Sequence, residues 1–388
     1  MGLGVRSRSA LLSQSYTQIQ TYDSGERNLA SLPKILVIGA GASGLAFALA
    51  CAHRGLKVRI IEKRPERSRI QKATGIAQSV WQQLAPYGVT ASLIDRALPM
   101  KNFVFRDDGK LIANVRVPLV GNEPAAHLLP QAQLEQAMEQ ALFRMGVKVE
   151  YGTSFSGLAQ SELHAQLILI RDAVEVENIQ FDWIVGADGA NSEVRSILRT
   201  PFIGRDYPEQ WTVSEISTKQ WPTEVQAQLF LSTSGTGLFL SHPSPGIVQG
   251  IMNAPSVGAA LLAHFPDGAI QYERQFVVSL RRVQTPRVKR VWLIGDAAHT
   301  QSPVGGQGLN LAIWDGTTLG NALINGDMSV EATLSNRAKR VLFFTDFDYR
   351  MLSTKSKFIR KLRNTYWSLA CRHPFLSRWF FKLISGAW

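Results

Sequence analysis

The chain has 388 residues, of which 45% are hydrophobic and 19% are charged, a balance that excludes a disordered, collagen-like or disulfide-stapled protein. This length suits one large domain or two closely associated ones. The two cysteines fit a reducing compartment, which we expect to be the cytoplasm. The formal net charge of +12 points to nucleic acid, a membrane surface or an anionic ligand. We expect no metal site, because the seven histidines show no metal-ligand spacing.

The N-terminal half begins with residues 1–33, which carry no acid before Asp23. We expect a disordered tail there, with a transit peptide as the alternative. Residues 34–38, 42–54 and 57–62 predict a strand, a helix and a second strand, the βαβ unit of a dinucleotide-binding motif. The later elements are predicted helices at residues 78–84 and 131–145, and predicted strands within residues 98–118, 147–151, 163–170, 174–179 and 183–185.

The pattern changes after residue 200. Over residues 201–282 prolines, tryptophans and glycines separate short alternating segments, which predicts an antiparallel sheet lobe. Residues 288–294 then predict a buried strand and residues 306–323 a helix. The expected fold is α/β: a Rossmann-like domain, an interleaved and mostly antiparallel substrate domain, and a helical C-terminal tail. The expected boundaries are 34–95, 120–198 and 285–330 for the first, 96–119 and 199–284 for the second, and 331–388 for the tail.

The first glycine loop, residues 39–44, reads Gly-Ala-Gly-Ala-Ser-Gly between a predicted strand and a predicted helix. Its first glycine permits a tight turn, its second lets the backbone approach a pyrophosphate, and its third lets the helix pack on the strand. The helix N-terminus presents free N–H groups to the phosphates. Glu62 ends the second strand, where its carboxylate can accept both ribose hydroxyls and would repel a 2′-phosphate. The loop alone leaves FAD and NAD open.

Two further motifs also follow predicted strands. Residues 186–195 read Gly-Ala-Asp-Gly-Ala-Asn-Ser-Glu-Val-Arg, and residues 295–310 join Gly295-Asp296 to a glycine-rich run that opens a helix. The Asp296 carboxylate, just past a buried strand, can accept from the ribityl hydroxyls of a flavin. The N–H groups of the glycine-rich run can stabilise the anion that forms when a flavin is reduced. An NAD enzyme needs no such second site, so these motifs favour FAD.

In this order and at these separations, the three motifs resemble those of the single-component, FAD-dependent aromatic hydroxylases typified by p-hydroxybenzoate hydroxylase. The resemblance covers roughly residues 34–330. It implies FAD as cofactor, with NADH or NADPH as the transient reductant. It further implies a monooxygenase that hydroxylates an aromatic or quinone-like small molecule with O₂ through a flavin C4a-hydroperoxide, so that the reactive centre is the flavin. We expect no thioredoxin-like C-terminal extension of the kind that phenol-hydroxylase relatives carry.

The resemblance also implies individual cofactor contacts. Asp188 matches the acid of the motif that is associated with both FAD and NAD(P)H, and His299 is expected to pack under Asp296. Two positions depart from the family, since Gln131 and Lys72 stand where arginines are common, and this predicts weaker FAD binding. The implied FAD-binding residues are Gly39, Gly41, Ala42, Ser43, Gly44, Glu62, Lys63, Lys72, Gln131, Asp188, Gly295, Asp296, Pro303, Gly305, Gly306, Gly308, Leu309 and Asn310.

The substrate is expected between the flavin and the sheet lobe. Its candidate contacts, for each of which core packing is the alternative, are Tyr207, Trp211, Phe230, Phe239 and His242. Two other functions stay open at this point. One is a flavin-dependent reductase of a lipid or prenyl group, similar to geranylgeranyl reductases. The other is a flavin-binding protein that attaches to a membrane or partner and has no hydroxylase activity.

The C-terminal segment, residues 355–382, contains eight lysines or arginines and no acid, so it carries +8 of the net charge of +12. Since the rest of the chain is only mildly basic, we do not expect nucleic acid as a partner. Aromatic residues such as Phe358, Trp367 and Phe381 alternate with the cations. This mixture is typical of peripheral contact with an anionic membrane. The alternative is a helix packed on the FAD-binding domain with a solvated basic face.

Overall fold

The computed structural model describes residues 33–67, 75–220, 224–232, 235–303, 305–370, 372–373 and 381. The expectations for the N-terminal tail, for Lys72 and for residues 374–380 and 382–388 lie outside the described residues. Helices in the described part are α1 (Ala42–His53), α2 (Gln78–Leu84), α3 (Val89–Leu93), α4 (Gln131–Arg144), α5 (Glu193–Ile197), α6 (Val257–His264), α7 (Gln307–Ile324), α8 (Val330–Leu352) and α9 (Lys357–Ala370).

The strands alternate with these helices in the first half of the chain and dominate its middle. The first eleven are β1 (Ile35–Ile38), β2 (Val58–Glu62), β3 (Gly75–Ala77), β4 (Leu98–Pro99), β5 (Asn102–Asp107), β6 (Lys110–Arg116), β7 (Leu119–Val120), β8 (Glu123–Pro124), β9 (Ala126–Leu128), β10 (Val149–Tyr151) and β11 (Thr153–Gln160). The others are β12 (Ala165–Arg171), β13 (Val174–Phe181), β14 (Trp183–Gly186), β15 (Phe202–Ser217), β16 (Ala227–Leu231), β17 (Thr236–Ser241), β18 (Ile247–Met252), β19 (Ala269–Val283), β20 (Arg287–Val288), β21 (Val291–Leu293) and β22 (His299–Thr300).

A six-stranded sheet in the order β10-β2-β1-β14-β21-β20 forms the centre of the nucleotide-binding part. All its pairings are parallel except that of β20 with β21. The central strand β1 is an uninterrupted apolar run that is fully buried, as expected for a parallel strand covered on both faces. The expected strand at residues 288–294 is wrong in detail: Lys289 has φ +49° and turns the chain, so a hairpin of β20 and β21 replaces it.

Helices α1 and α7 pack against each other through glycines. A Cβ at Gly316 would lie 2.7 Å from the backbone nitrogen of Phe47, and a Cβ at Gly320 would lie 2.6 Å from the Cβ of Ala50. Only hydrogen at these two positions allows the helix backbones to come so close. Because α1 follows the first glycine loop and α7 follows the third motif, this packing fixes the two motifs relative to each other.

An eight-stranded, mostly antiparallel sheet forms the second part, in the order β22-β19-β15-β18-β17-β16-β5-β6. One face packs on α6 through residues such as Ile216 and Val248. The opposite face carries Leu229 and Leu240 and packs on Leu128 of β9. Strand β22 lies within the third motif and pairs with β19, so the nucleotide-binding part and the sheet are joined across the expected boundary at residue 284.

Helix α9 packs on this second sheet. Its Trp367 ring stacks on Phe105 with centroids 3.9 Å apart, and its Arg363 side chain is 3% exposed and pairs with Asp107. The expected alternative, a helix packed on the FAD-binding domain, is therefore correct about packing and wrong about the surface that the helix covers. Among the described helices, none is both long and apolar enough to span a membrane.

Candidate functional site

The turn between β1 and α1 has the geometry of a dinucleotide-binding loop. Gly39 has φ +105°, and a Cβ at Gly44 would collide with the carbonyl oxygen of Gly39, so both positions require glycine for reasons internal to the fold. Gly41 differs, because a Cβ there would have no atom within 4 Å. The backbone at Gly41 therefore borders open space at the N-terminus of α1, where the first helical N–H groups lack intrahelical partners. A diphosphate can approach this point.

Glu62 ends β2 beside this loop and is buried. Its carboxylate accepts the Ala40 N–H at 3.0 Å and is paired with the guanidinium of Arg64, whose Nε lies 3.0 Å away. Burial by itself raises the pKa of Glu62, but the hydrogen bonds from Arg64 and Ala40 outweigh it and hold the pKa below its ordinary value. The group is thus a carboxylate at neutral pH. Because the Ala40 N–H and three N–H groups of Arg64 already occupy its four acceptor positions, ribose hydroxyls can bind it only if the Arg64 side chain moves.

The second motif follows β14. The Asp188 carboxylate accepts from the Ser192 hydroxyl at 2.6 Å and from the backbone N–H groups of Glu193 at 2.7 Å and Val194 at 3.1 Å. These bonds place Asp188 at the start of α5, where a carboxylate satisfies free N–H groups. Arg195 then donates to the carbonyl oxygen of Ala297 at 2.9 Å. The second motif is thereby attached to the third.

The third motif follows β21 and rests on the first. Gly295 has φ +58°, and a Cβ there would lie 2.5 Å from the Ser43 hydroxyl oxygen of α1. Its N–H donates to the carboxylate of Asp315 on α7 at 3.1 Å. Asp296 is half-buried in the short 3₁₀ turn Gly295–Ala297. The turn thus holds a carboxylate next to the N-terminus of α1.

The glycine-rich run before α7 is fixed mainly by Asn310. Gly305 and Gly306 have φ +87° and +63°, so the chain reverses there before the helix begins. The Asn310 side chain donates to the carbonyl oxygen of Gly306 at 2.8 Å and accepts the Ala77 N–H at 2.9 Å. Asn310 therefore joins the run to β3. Of the other predicted residues here, Leu309 is buried, whereas Pro303 is half-buried.

A protein-family model described as an FAD binding domain matches residues 33–258 and 253–326, which include all three motifs. The chain belongs to this family of FAD-binding domains. This chain is 25% identical to 6-methylpretetramide 4-monooxygenase from Streptomyces rimosus over 307 residues, which are 74% of the chain and 55% of that enzyme. It is 27% identical to rifampicin monooxygenase from Streptomyces venezuelae over 308 residues, which are 74% of the chain and 63% of that enzyme. The chain therefore spans about half to two thirds of the length of these relatives.

The fold of this FAD-binding family member is also similar to solved structures. The crystal structure of p-nitrophenol 4-monooxygenase from Pseudomonas putida superposes with a TM-score of 0.82 at 19% identity, covering 91% of this chain and 98% of that one. At this identity the likeness concerns the fold. It agrees with the expected Rossmann-like domain with an interleaved antiparallel sheet and a helical C-terminal region.

The residues of this family member fit FAD. The open space at Gly41 can take a diphosphate that a Cβ would exclude. The ionised Glu62 can bind the adenosine ribose, and Asp296 can accept from the ribityl chain. Since Gly295 backs onto Ser43, the diphosphate and ribityl positions adjoin, as one extended cofactor requires.

Other predicted cofactor residues of this FAD-binding domain lie at its margin. Lys63 is exposed. Gln131 begins α4 and donates to the Glu135 carboxylate at 2.7 Å. Its amide therefore has a partner within its own helix, and its contact with FAD stays a proposal, as does weaker FAD binding at this position.

The five predicted substrate contacts do not come together. Phe230 and Phe239 pack on each other with ring centroids 4.3 Å apart, and both belong to the face of the sheet that α6 covers. Strand alternation points these two side chains away from the face that contacts β9, so they pack beneath α6, and their role as substrate contacts stays a prediction. Tyr207 and Trp211 lie under α8.

Tyr207 donates to Asp346 of α8 at 2.6 Å, and Tyr349 of α8 contacts both predicted rings, with centroids 4.4 Å from Tyr207 and 5.8 Å from Trp211. The core-packing alternative therefore describes Tyr207 and Trp211.

His242 differs from the other four predicted contacts. Its backbone N–H donates to the Ile247 carbonyl oxygen at 3.1 Å and extends the β17–β18 ladder, so alternation places His242 on the same side as Leu240. Burial lowers the pKa of His242, which favours the neutral imidazole.

Three residues that matter to this geometry were not predicted from sequence. Arg64 pairs with Glu62, Arg195 connects the second and third motifs, and Asp315 accepts from the third. A basic residue close after the acid that ends β2 is a signal that could have identified Arg64. Asp315 lies within a buried apolar helix, where an acid requires partners, and this rule could have singled it out.

Proposed function

We propose that this chain is an FAD-dependent monooxygenase that uses NADH or NADPH and O₂ to hydroxylate an aromatic or quinone-like small molecule. The observation that carries the proposal is the convergence of three motifs, in which Gly295 of the third backs onto Ser43 of the first and Arg195 of the second bonds to Ala297. The names of the relatives support the reaction class, since both are monooxygenases.

In this proposal the chain binds and orients its cofactor, and bound FAD supplies the redox and oxygen chemistry. The loop at Gly39, Gly41, Ala42, Ser43 and Gly44 holds the diphosphate, and Glu62 holds the adenosine ribose. Asp296 accepts from the ribityl hydroxyls. The N–H groups at the start of α7 stabilise negative charge at the pyrimidine end. The residues assigned to that end are Pro303, Gly305, Gly306, Gly308, Leu309 and Asn310.

We place the substrate between this cofactor and the sheet face that carries Leu240 and packs on β9. His242 lies at the edge of that face, and its Nδ1 accepts the Ser244 N–H at 2.9 Å, so the neutral imidazole carries its proton on Nε2 and can donate a hydrogen bond to a phenolic oxygen. The surrounding apolar side chains, Leu229 among them, would exclude water from the reaction. A His242→Ala variant is expected to raise KM for the substrate while FAD affinity stays unchanged.

The experiment that tests the reaction class measures O₂ consumption, NAD(P)H oxidation and product mass with a panel of phenols and quinols. A hydroxylase consumes one O₂ per NAD(P)H and adds one oxygen atom to the product. A reductase of a lipid or prenyl group, the second candidate, would add hydrogen and consume no O₂. If no panel member raised NAD(P)H oxidation above background, the result would favour a flavin-binding protein without hydroxylase activity.

A cytoplasmic protein with peripheral membrane contact through α9 is a further part of the proposal. Phe358 and Leu362 are 76% and 59% exposed, lie on one side of α9, and are flanked by the exposed cations Lys357 and Lys361. An apolar stripe beside lysines fits the interface of an anionic membrane. The other two cations of α9, Arg360 and Arg363, pair with Asp107 and therefore stabilise the packing of the helix on the sheet.

Vesicle sedimentation tests this contact. The protein should sediment with anionic phosphatidylglycerol vesicles at low salt and partly dissociate at 1 M salt, where the Debye length is about 3 Å. The double variant F358S/L362S should lose binding. The matched control is Phe143→Ser. It removes an exposed aromatic ring of α4 that lies beside Lys148, and this variant should bind as before. Equal losses in both variants, or no binding of the intact protein, would rule the contact out.

A further inference from the structure

One carboxylate oxygen connects the two ends of the turn that carries Asp296. Asp315 Oδ2 lies 3.1 Å from the backbone nitrogen of Gly295, which precedes Asp296, and 2.6 Å from Nε2 of His299, which follows the turn. Asp315 belongs to α7, in the middle of the helix that packs on α1. Asp315 therefore ties the turn to α7, and through α7 to α1.

The pair of Asp315 and His299 is buried, with each side chain 3% exposed. Burial alone would lower the pKa of His299, but the carboxylate of Asp315, with a smaller effect from Asp296, outweighs it and raises the pKa. This favours an imidazolium that donates to Asp315. Arg337 of α8 adds a second positive charge nearby: burial lowers its pKa to about 10, which leaves it protonated at neutral pH. A buried acid needs such compensation.

Backbone bonds also hold the turn, since the Ile294 N–H donates to the Gly186 carbonyl oxygen at 3.0 Å and the Val283 N–H donates to the Ala298 carbonyl oxygen at 2.8 Å. Gly295 has φ +58°, a conformation that glycine adopts without strain, so the backbone of Gly295 is free to take other conformations as well. Inside the turn, the Ala298 N–H donates to the Gly295 carbonyl oxygen at 2.9 Å. From outside, Arg195 donates to the Ala297 carbonyl oxygen. Asp315 adds side-chain contacts at both ends, to the Gly295 N–H and to the His299 ring.

We propose that Asp315 is a positioning residue, which acts through Gly295 and His299 to hold Asp296 in the orientation that binds the ribityl chain. The inference rests on the proposed function, because it assigns Asp315 a role at the FAD site. It also assigns His299, expected only to pack under Asp296, a defined hydrogen-bonding role. Asp315 itself does not touch the cofactor in this account.

A double-mutant cycle on FAD affinity tests the proposal, since two residues that act through one contact have non-additive effects. FAD is titrated into the full-length apoprotein and Kd is read from flavin fluorescence. Asp296→Ala should weaken FAD binding about tenfold to hundredfold, and Asp315→Asn about tenfold. The double variant should bind no more weakly than Asp296→Ala, because an Asp296 side chain that is absent cannot be misplaced. A double variant that binds FAD about tenfold more weakly than Asp296→Ala, which is the product of the two single effects, would overturn the proposal.

Two further variants keep the cycle interpretable. Thr317→Val changes another buried polar residue of α7, whose hydroxyl donates to Gln83 at 2.6 Å and does not contact the turn, and it should leave Kd unchanged. If Asp315→Asn does not fold, His299→Gln removes one end of the link and should weaken FAD binding less, with the same non-additivity. If the wild-type protein binds no FAD, the proposed function fails. If it binds FAD and the cycles are additive, only this inference fails.

Discussion

The nucleotide-binding frame, formed by β1, α1, β21 and α7, and the eight-stranded sheet are stabilised by opposite means. The frame depends on missing side chains, since Gly316 and Gly320 let α7 approach α1. The sheet depends on large ones: Trp367 stacks on Phe105, and the Arg363 side chain is buried against Asp107. Adding a methyl group should therefore harm the frame, whereas removing a side chain should harm the sheet.

Helix α8 joins the two regions. Near its start Leu334 belongs to the core of the frame and Arg337 lies over the ring of Trp314 on α7. Near its end Tyr349 packs on Tyr207 of the sheet. A change in the middle of this helix can therefore affect the stability of both regions, while a change at either end should stay local.

The largest expected effect concerns the sheet. Asp107→Ala removes the carboxylate that accepts from Asn364 at 2.6 Å and pairs with Arg363 at 3.2 Å. The buried guanidinium is left uncompensated, so the free energy of unfolding should fall by about 3–5 kcal/mol in urea denaturation. FAD affinity should not change. The control, Asp206→Ala, breaks an exposed pair with Arg281 and should have little effect; equal losses in the two variants would refute the distinction.

The next largest effect is on FAD affinity, from a substitution in the frame that leaves its packing unchanged. Asp296→Ala removes a charged acceptor of the ribityl hydroxyls, worth about 1.5–3 kcal/mol. FAD Kd should rise about tenfold to hundredfold, with an unchanged urea midpoint for the apoprotein. Asp327→Ala, an exposed acid before α8, serves as the control. Retention of FAD at wild-type affinity by Asp296→Ala would show that the third motif has been misassigned.

Asp348 tests the end of α8 that packs on the sheet. Burial raises its pKa from 3.8 to about 6, so the folded state disfavours its ionised form. The contribution of this carboxyl group to the free energy of unfolding is most favourable below pH 3.8, its pKa in the unfolded chain. That contribution is lost as the pH rises through about 6, its pKa in the folded protein. Asp348→Asn should therefore raise the free energy of unfolding by up to about 3 kcal/mol above pH 6. The gain should shrink as the pH is lowered from 6 towards 4, and a gain that did not vary with pH would exclude this cause.

The smallest expected effect on the free energy of unfolding comes from alanine substitution at two glycines of the frame. Gly316→Ala places a Cβ against the backbone of α1, a strain of about 1–3 kcal/mol, partly offset by about 1 kcal/mol of helix propensity. The net loss in unfolding free energy should be about 1 kcal/mol. Gly41→Ala should leave that free energy unchanged and weaken FAD binding, because its Cβ enters only the open space. The reverse pattern would contradict the assignment of that space to the diphosphate.

The sequence predicted the frame well because glycine positions and apolar runs act locally. The βαβ unit and the helix that starts near Gly306 lie within a residue or two of their expected bounds. The family assignment is confirmed by the match over residues 33–326. The FAD-binding roles of individual residues stay predictions.

The sheet was predicted less well, because its contacts join distant parts of the chain. Which face Phe239 occupies depends on the register of β17 against its neighbours, which no local pattern fixes. Likewise, nothing near Arg363 in sequence indicates that its partner is Asp107, and so the alternative of a packed helix named the FAD-binding domain as the surface that the helix covers. The turn at Lys289 was missed because a positive φ at lysine has no sequence signal.

The central claim is that the three motifs form one site for FAD, and cofactor titration of the apoprotein tests it most directly. FAD and FMN are added separately and flavin fluorescence is followed. The account predicts stoichiometric binding of FAD and much weaker binding of FMN, which lacks the adenosine half that Gly41 and Glu62 would hold. Equal affinity for the two flavins, or binding of neither, would contradict it.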